Sequence, residues 1–185
     1  RNSLHLYIVG ILMFDIEVMK HDEIRVIDNF LDKKIFKDLQ DTLLNKSEFP
    51  WFLNYNKVID DGVTQFTHMF YYDFIPNSAY YNNLLPFFKI LQPNAIKRVK
   101  ANLTIKETEV KPYGLHQDYN DDLSLNQMKT AIYFLNTTNG PSVFENNKKV
   151  NCVENRIVIF PTKVLHAGST HTDSQVRGVI NFNWF

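Results

Sequence analysis

His116-x-Asp118, with His166 far downstream and Arg177 after it on the closing apolar segment, is the set of side chains in this chain best able to do chemistry. Two imidazoles and a carboxylate are donors that Fe(II) accepts, and three protein ligands on one face of an octahedron leave three positions for a cosubstrate and dioxygen. The short spacing has a mechanical reason. In an extended strand, residues two apart point the same way, so His116 and Asp118 can share one ion while Gln117 faces the opposite side. His166 must then arrive from a distant strand. His171-x-Asp173 repeats the short pattern, but it sits in the polar run Ser-Thr-His-Thr-Asp-Ser, a turn composition with no later histidine to complete a set.

The elements that must position these residues fall into two halves. Ile24-Arg25-Val26-Ile27-Asp28 alternates as a short strand, and Leu31, Ile35, Leu39 and Leu43 recur at helical spacing through residue 45, with Asp32 suited to the helix start. Trp51-Phe52-Leu53 and residues 66–73 predict strands, residues 80–91 predict a helix interrupted by Pro86, and Pro93 stops it. After Lys97 come strand runs separated by turns, over residues 98–106, 130–136, 143–144, 156–160, 164–166 and 176–185. No internal repeat or flexible linker interrupts this order. The expectation is a mainly β (α+β) protein: a double-stranded β-helix, or jelly roll, over about residues 97–185, buttressed by N-terminal helices within a single domain spanning 19–185.

Residues 4–19 are apolar, yet the uninterrupted core from Leu6 to Phe14 is too short to span a bilayer, and no small-residue cleavage site follows it. Residues 1–18 are expected to be either an extra strand or packing segment or, by slight preference, sequence upstream of a natural start at Met19. With 44% hydrophobic and 14% aromatic residues, the chain has enough apolar mass for a substantial core. Twenty basic residues balance 20 acidic ones, and Lys97-Arg98-x-Lys100 is the densest basic run, so nucleic acid and anionic membrane are disfavoured as partners. Cys152 is the only cysteine, which excludes an intrachain disulfide and a multi-cysteine zinc site and fits a reducing cytoplasm. Its simplest role is that of a small buried apolar residue.

On the last strand, Arg177 shares a face with Val179, Asn181 and Asn183, while Gly178, Ile180, Phe182 and Trp184 lie opposite. A permanently charged arginine inside so apolar a segment needs a partner, and a planar guanidinium matches a carboxylate in bidentate fashion. The carboxylate of a ligand or a structural Asp or Glu would serve.

Together these residues resemble the 2-oxoglutarate- and Fe(II)-dependent dioxygenases, within them the prolyl-4-hydroxylase-like branch, over roughly residues 97–185. Tyr113-x-x-His116-x-Asp118 resembles that branch's first ligand pair with its preceding aromatic, and Thr130-x-x-Tyr133-x-Leu135-Asn136 its next strand. Gly140 and Phe144 fall where the family has a Gly-rich turn and a following strand. Residues 156–160, then Leu165-His166-Ala167-Gly168, resemble the strand and distal ligand, and Arg177 resembles the residue that holds the far carboxylate of 2-oxoglutarate. Asn181 matches a position that is often a small polar pocket residue. Where some relatives place a cosubstrate-binding Tyr this chain has Phe134, which has no hydrogen to donate, so Asn102 or Thr104 on the strand before the ligand pair is the candidate replacement.

The resemblance implies Fe(II) held by His116, Asp118 and His166, with 2-oxoglutarate and O2 as cosubstrates. It implies hydroxylation of a C–H bond in a peptidyl proline or a small molecule, with release of succinate and CO2. Asp118 fills the ligand position that halogenating members leave open. Trp51, Tyr55, Tyr71-Tyr72, Tyr80-Tyr81 and Tyr119 are candidates for lining a substrate groove, Tyr119 foremost because it adjoins a ligand. Asp60-Asp61 and Asp121-Asp122 read as solvated turn acids, and His5 and His68 as structural histidines. No phosphate loop, nucleophile elbow or Cys-x-x-Cys pair occurs. Two other readings remain: a non-catalytic jelly-roll module holding a structural ion, and a cupin-like metalloenzyme that does not use 2-oxoglutarate.

Overall fold

The computed structural model describes residues 23–55, 64–145 and 147–185. The expectations for residues 1–18, His5 and Asp60-Asp61 lie outside these. Strand β1 (Arg25–Ile27) leads to helix α1 (Lys33–Gln40), which widens into a last turn over Asp41–Asn45. Next come β2 (Phe52–Asn54), β3 (Gln65–Tyr72), β4 (Ile75–Pro76), a tight turn over Tyr81–Leu84, helix α2 (Leu85–Leu91) and β5 (Ile96–Ile105). After helix α3 (Asp122–Gln127) the chain is all strand: β6 (Lys129–Phe134), β7 (Thr138–Phe144), β8 (Lys149–Cys152), β9 (Ile157–Pro161), β10 (His166–Ala167) and β11 (Val176–Trp184).

The strands form two antiparallel sheets of a double-stranded β-helix. The large sheet runs β1-β9-β6-β11-β5-β3-β2, with β4 on β3, and the small one runs β10-β7-β8. Period-two alternation gives the large sheet two differently used faces. One packs on the helices, where Phe36, Leu39, Leu43, Phe87 and Leu91 meet Tyr133, Ile159, Ile180, Phe182 and Trp184. The other meets the small sheet, burying Ile132, Phe134, Val158, Phe160 and Val179 against Phe144, Val150, Cys152 and Val164. Cys152 is buried there as a small residue, its thiol directed at the Asn136 carbonyl.

Local chemistry explains the element boundaries. Asp32 caps α1 by accepting from the Lys34 amide at 2.9 Å. Pro86 lies in the first turn of α2, where a missing N–H is harmless, so it starts the helix instead of interrupting one; the helix ends at Gln92 with φ 47°. Two expectations change on the strand side. Gly140 sits inside β7 instead of a turn, and β4 and β8 add strands beyond the expected runs, as α3 adds a helix. Asp121 is the cap of α3, accepting from the Ser124 amide at 2.9 Å, so it is not a free turn acid.

Asn155, at φ 56°, ties the N-terminal segment to the jelly roll: its amide oxygen accepts from Leu31 N (2.9 Å) and the Tyr133 hydroxyl (2.8 Å), and its amide nitrogen donates to Leu31 O (2.9 Å). Among the described residues no helix is long and apolar enough to cross a membrane.

Candidate active site

His116 and His166 face each other across an isolated antiparallel bridge, each backbone N–H donating to the other's carbonyl at 3.0 Å. That pairing brings their rings to 4.9 Å between centroids. Asp118 joins them, and one donor atom from each of the three lies within 4.8 Å of the others. Gln117 turns the opposite way and donates to the Lys163 carbonyl. The Tyr113 amide donates to Gly168 O at 3.0 Å, anchoring the segment that carries His116 and Asp118 beside the one that carries His166.

Each imidazole is oriented from behind. Nδ1 of His166 lies 3.1 Å from Val164 O and Nδ1 of His116 lies 3.2 Å from Gly114 O; a carbonyl only accepts, so Nδ1 carries the hydrogen and Nε2 is left as the donor atom for a metal. His166 is buried against the edge of Phe160, 4.7 Å between centroids. Burial pushes its pKa down, outweighing the attraction of Asp118, and keeps the ring neutral as a ligand must be.

Burial alone would raise the Asp118 carboxyl. Arg98, His166 and the Asn183 amide together overcome that and hold it well below the usual carboxylate range. Arg98 Nη2 meets Asp118 Oδ1 at 2.8 Å, and Asn183 Nδ2 donates to Oδ2 at 2.9 Å. Arg98 also donates from Nε to Asn183 Oδ1 at 3.0 Å, closing a triangle around the carboxylate, and lies 5.4 Å from the Tyr119 ring centre. Sequence reasoning missed Arg98 and Asn183 in this role, because only the β5–β11 register brings them opposite each other.

The same register sets out the rest of the inner face. Arg177 is opposite Thr104, Val179 opposite Asn102, Asn181 opposite Lys100, and Asn183 opposite Arg98. Asn102 and Thr104 therefore share the face of β5 that carries Arg98. Arg177 is buried, donates from Nε to Gly140 O at 3.0 Å and from Nη2 to Ser142 Oγ at 3.3 Å, and lies over the Phe134 ring at 5.6 Å. Among the described residues no carboxylate pairs with it, so the structural-acid partner is not found. Gly140 is required here: a Cβ on it would lie 2.6 Å from Thr170 O.

His171, read from composition as part of a turn, is buried beside Arg177, whose charge adds to burial in lowering its pKa. Neither ring nitrogen makes a hydrogen bond, the Ser174 backbone lying beside the ring but outside bonding geometry. Asn102 Oδ1, Thr104 Oγ1, Asn181 Oδ1 and the Tyr119 hydroxyl are also buried without partners. Buried polar atoms are rarely left unmade, and so many on one face mark a place shaped for a polar ligand.

Of the other aromatic candidates, Tyr72 and Tyr80 line a cavity of about 490 Å³ beside β3. Tyr71 and Tyr81 stack on each other at 5.6 Å, Trp51 packs on Phe49 at 5.1 Å, and Tyr55 is exposed. His68 is a satisfied structural histidine, bonded to Pro50 O and Ser78 Oγ.

A ferrous ion fits this set. Two Nε2 atoms and an ionised carboxylate supply one hard and two borderline donors without sulfur, and the unpartnered Asn102, Thr104 and Asn181 atoms lie on the sheet face that leads from Asp118 to Arg177. No protein-family sequence model and no curated protein sequence matches the chain. Solved structures do. A 2OG-Fe(II) oxygenase family oxidoreductase from Burkholderia pseudomallei aligns with TM-score 0.64 at 13% identity, over 87% of this chain and 84% of that one. The chain has the fold of the 2OG-Fe(II) oxygenases.

Two more structures with that oxygenase fold widen the comparison. A prolyl hydroxylase from Trichoplax adhaerens, in complex with a hypoxia inducible factor peptide, aligns with TM-score 0.63 at 11% identity, over 87% of this chain and 83% of that one. HygX from Streptomyces hygroscopicus, with nickel and 2-oxoglutarate bound, aligns with TM-score 0.61 at 12% identity, over 97% and 85%. In this fold His116 and Asp118 lie where the segment before α3 bridges to His166 on β10, and Arg177 is the second residue of β11.

Proposed function

We propose that this protein is an Fe(II)- and 2-oxoglutarate-dependent oxygenase that hydroxylates a C–H bond of a peptide or small-molecule substrate. The observation that carries the reading is Arg177: a buried cation with no carboxylate partner among the described residues, on the sheet face that also holds Asp118 through Asn183. A structural ion has no use for such a clamp, which disfavours the non-catalytic module.

Bound iron, with 2-oxoglutarate and O2, supplies oxidative decarboxylation to succinate and CO2 coupled to hydroxylation. The protein's own residues do the positioning. His116, Asp118 and His166 hold the metal; Arg177, steadied by Gly140 O and Ser142 Oγ, takes the far carboxylate of the cosubstrate. Asn102 and Thr104, opposite Val179 and Arg177, and Asn181 supply the hydrogen-bonding groups that Phe134 lacks. Phe134 and Phe160 keep the floor of the site dry, which strengthens each polar contact. Because Asp118 occupies the third ligand position, hydroxylation is favoured over halogenation.

Tyr119 is assigned to substrate contact and Tyr113 to the cosubstrate side. The relatives of this fold include one holding a hypoxia inducible factor peptide and one holding hygromycin B, so peptide and small-molecule substrates both suit the scaffold. Peptidyl proline is the default by analogy with the first.

The test is an anaerobic visible titration with Fe(II) and then 2-oxoglutarate. A charge-transfer band that needs both, disappears in His166→Ala and demands far more cosubstrate in Arg177→Ala supports the reading. Bound metal with no band at saturating 2-oxoglutarate overturns it in favour of a metalloenzyme that does not use this cosubstrate.

A further inference from the structure

On the inner face of β5 the residues run Arg98, Lys100, Asn102, Thr104, and the two cations differ in how they are satisfied. Arg98 is paired with Asp118. Lys100, half-buried, makes no hydrogen bond and no ion pair among the described residues. Its neighbours across the sheet are Asn181 on β11 and Met69 on β3, neither of which carries charge. A buried charge without a counter-charge is expensive, and it costs more still beside a second cation. Burial and then Arg98 lower the Lys100 pKa, while Asp118 acts in the opposite sense, so the ammonium lies in the field of the Arg98–Asp118 pair.

The cavity beside β3 continues this row. Thr67, Met69 and Tyr72 line it and are paired in register with Asn102, Lys100 and Arg98. Its other walls include Phe52 and Tyr80, and none of its lining residues is acidic or a lysine or arginine. The cavity therefore accepts an apolar or aromatic body and contains no charge of its own. Charge bookkeeping over the site points the same way: Arg98 and Asp118 cancel, an Fe(II) ion and the 2-oxoglutarate dianion cancel, and Arg177 and Lys100 remain positive. Arg177 and the metal are the anchors for the two carboxylates of the cosubstrate. Lys100, in register with the cavity-lining Met69, is left for something else.

We infer that Lys100 is a specificity-determining residue that selects a carboxylate-bearing substrate, holding its anionic group between Asn181 and Met69 while the substrate body enters the β3 cavity. This rests on the oxygenase reading and narrows its substrate to acids, whether free or as an acidic residue next to the reacting carbon. Sequence alone shows Lys97-Arg98-x-Lys100 only as the densest basic run of the chain. Strand alternation sends Arg98 and Lys100 inward, whereas Lys97 lies half-buried against Asp73.

The test is anaerobic calorimetry on protein loaded with Fe(II) and 2-oxoglutarate, using matched probes: acetate against acetamide, and 3-phenylpropionate against 3-phenylpropionamide. Wild type is expected to bind the carboxylate of at least one pair at least tenfold more tightly than its amide, with the preference gone in Lys100→Met and kept in Lys100→Arg. The charge-transfer band should form normally in both variants, so its absence in wild type would indict the oxygenase reading and not this one. Thermal unfolding checks the fold: an unpaired lysine replaced by methionine should leave Tm unchanged or raise it. Equal binding of acid and amide, no binding by either, or a preference that survives in Lys100→Met overturns the inference. So does a Lys100→Met variant that demands tenfold more 2-oxoglutarate without any acid preference in wild type, because the anion is then the cosubstrate. A fall in Tm would also overturn it, by making Lys100 a structural residue.

Discussion

Arg98 and Asp118 form an ion pair, Nη2 to Oδ1 at 2.8 Å, and Asn183 bonds to both partners, so the carboxylate offered to a metal is held from two sides by groups on adjacent strands. Both of its oxygens are engaged, yet each retains a lone pair for coordination. The consequence is a ligand that stays ionised and has one orientation.

Asn183 is the partner to remove first, because it is neutral and its loss does not change the charge around the metal. Asn183→Ala leaves Asp118 held by Arg98 alone, and loss of such outer support weakens metal binding by about 10–100-fold. Fe(II) titration read by calorimetry or by the charge-transfer band checks it. Unchanged affinity would mean that Arg98 alone orients the carboxylate.

Arg177→Ala should raise the concentration of 2-oxoglutarate needed to develop the band by at least ~30-fold, corresponding to the lower end of the roughly 2–5 kcal/mol lost when one side of a buried charge pair is truncated. Fe(II) affinity should hardly move. Arg177→Lys should recover only part of the loss, because a lysine keeps the charge but not the fork that now spans Gly140 O and Ser142 Oγ.

Asn155→Ala tests the link between the N-terminal segment and the jelly roll. It unmakes three bonds, to Leu31 N, Leu31 O and the Tyr133 hydroxyl, and places a Cβ-bearing residue without a polar side chain at φ 56°. A loss of about 2–4 kcal/mol in denaturant unfolding is expected, given ~1–3 kcal/mol for each buried group left unpaired and partial relief by water. Asn155→Gly, which relieves the backbone but not the bonds, should lose slightly less.

The pH dependence of the metal-free protein should carry a contribution from His68. Burial lowers its pKa, and the bond to Pro50 O only partly opposes this. The unfolded chain takes up a proton near the ordinary value of ~6.5, whereas the folded protein does so only at lower pH, so stability falls as pH drops below ~6.5 and levels off beneath the folded pKa. Tm measured from pH 7.5 to pH 5 should decline, and less steeply in His68→Asn. His166 and His171 shift in the same direction and supply the slope that remains.

Much of the site was legible in the residues themselves. His116 and Asp118 share a side because they are two apart, and Arg177, Asn181 and Asn183 form a polar face on β11 because strand alternation is a property of the backbone. The jelly roll followed from strand runs with turns between them. Pro86 misled because a proline reads as a break until its position within the first turn is known, whereas the polar run around His171 is the bend its composition predicts, and only the burial of the ring went unread.

What the sequence by itself determined is the local part: which side chains alternate inward on each strand, which three can ligate an ion, and that no cysteine competes with them. The tertiary structure alone decided which strands lie side by side. Pairing β11 with β5 set Asn183 against Arg98 and Asn181 against Lys100, and the bridge between His116 and His166 closed the ligand set. The reason is physical. Alternation is encoded by the covalent geometry of each residue, whereas register is chosen by burying Ile180, Phe182 and Trp184 against helices distant in sequence, and only that choice tells each polar residue which neighbour it must face.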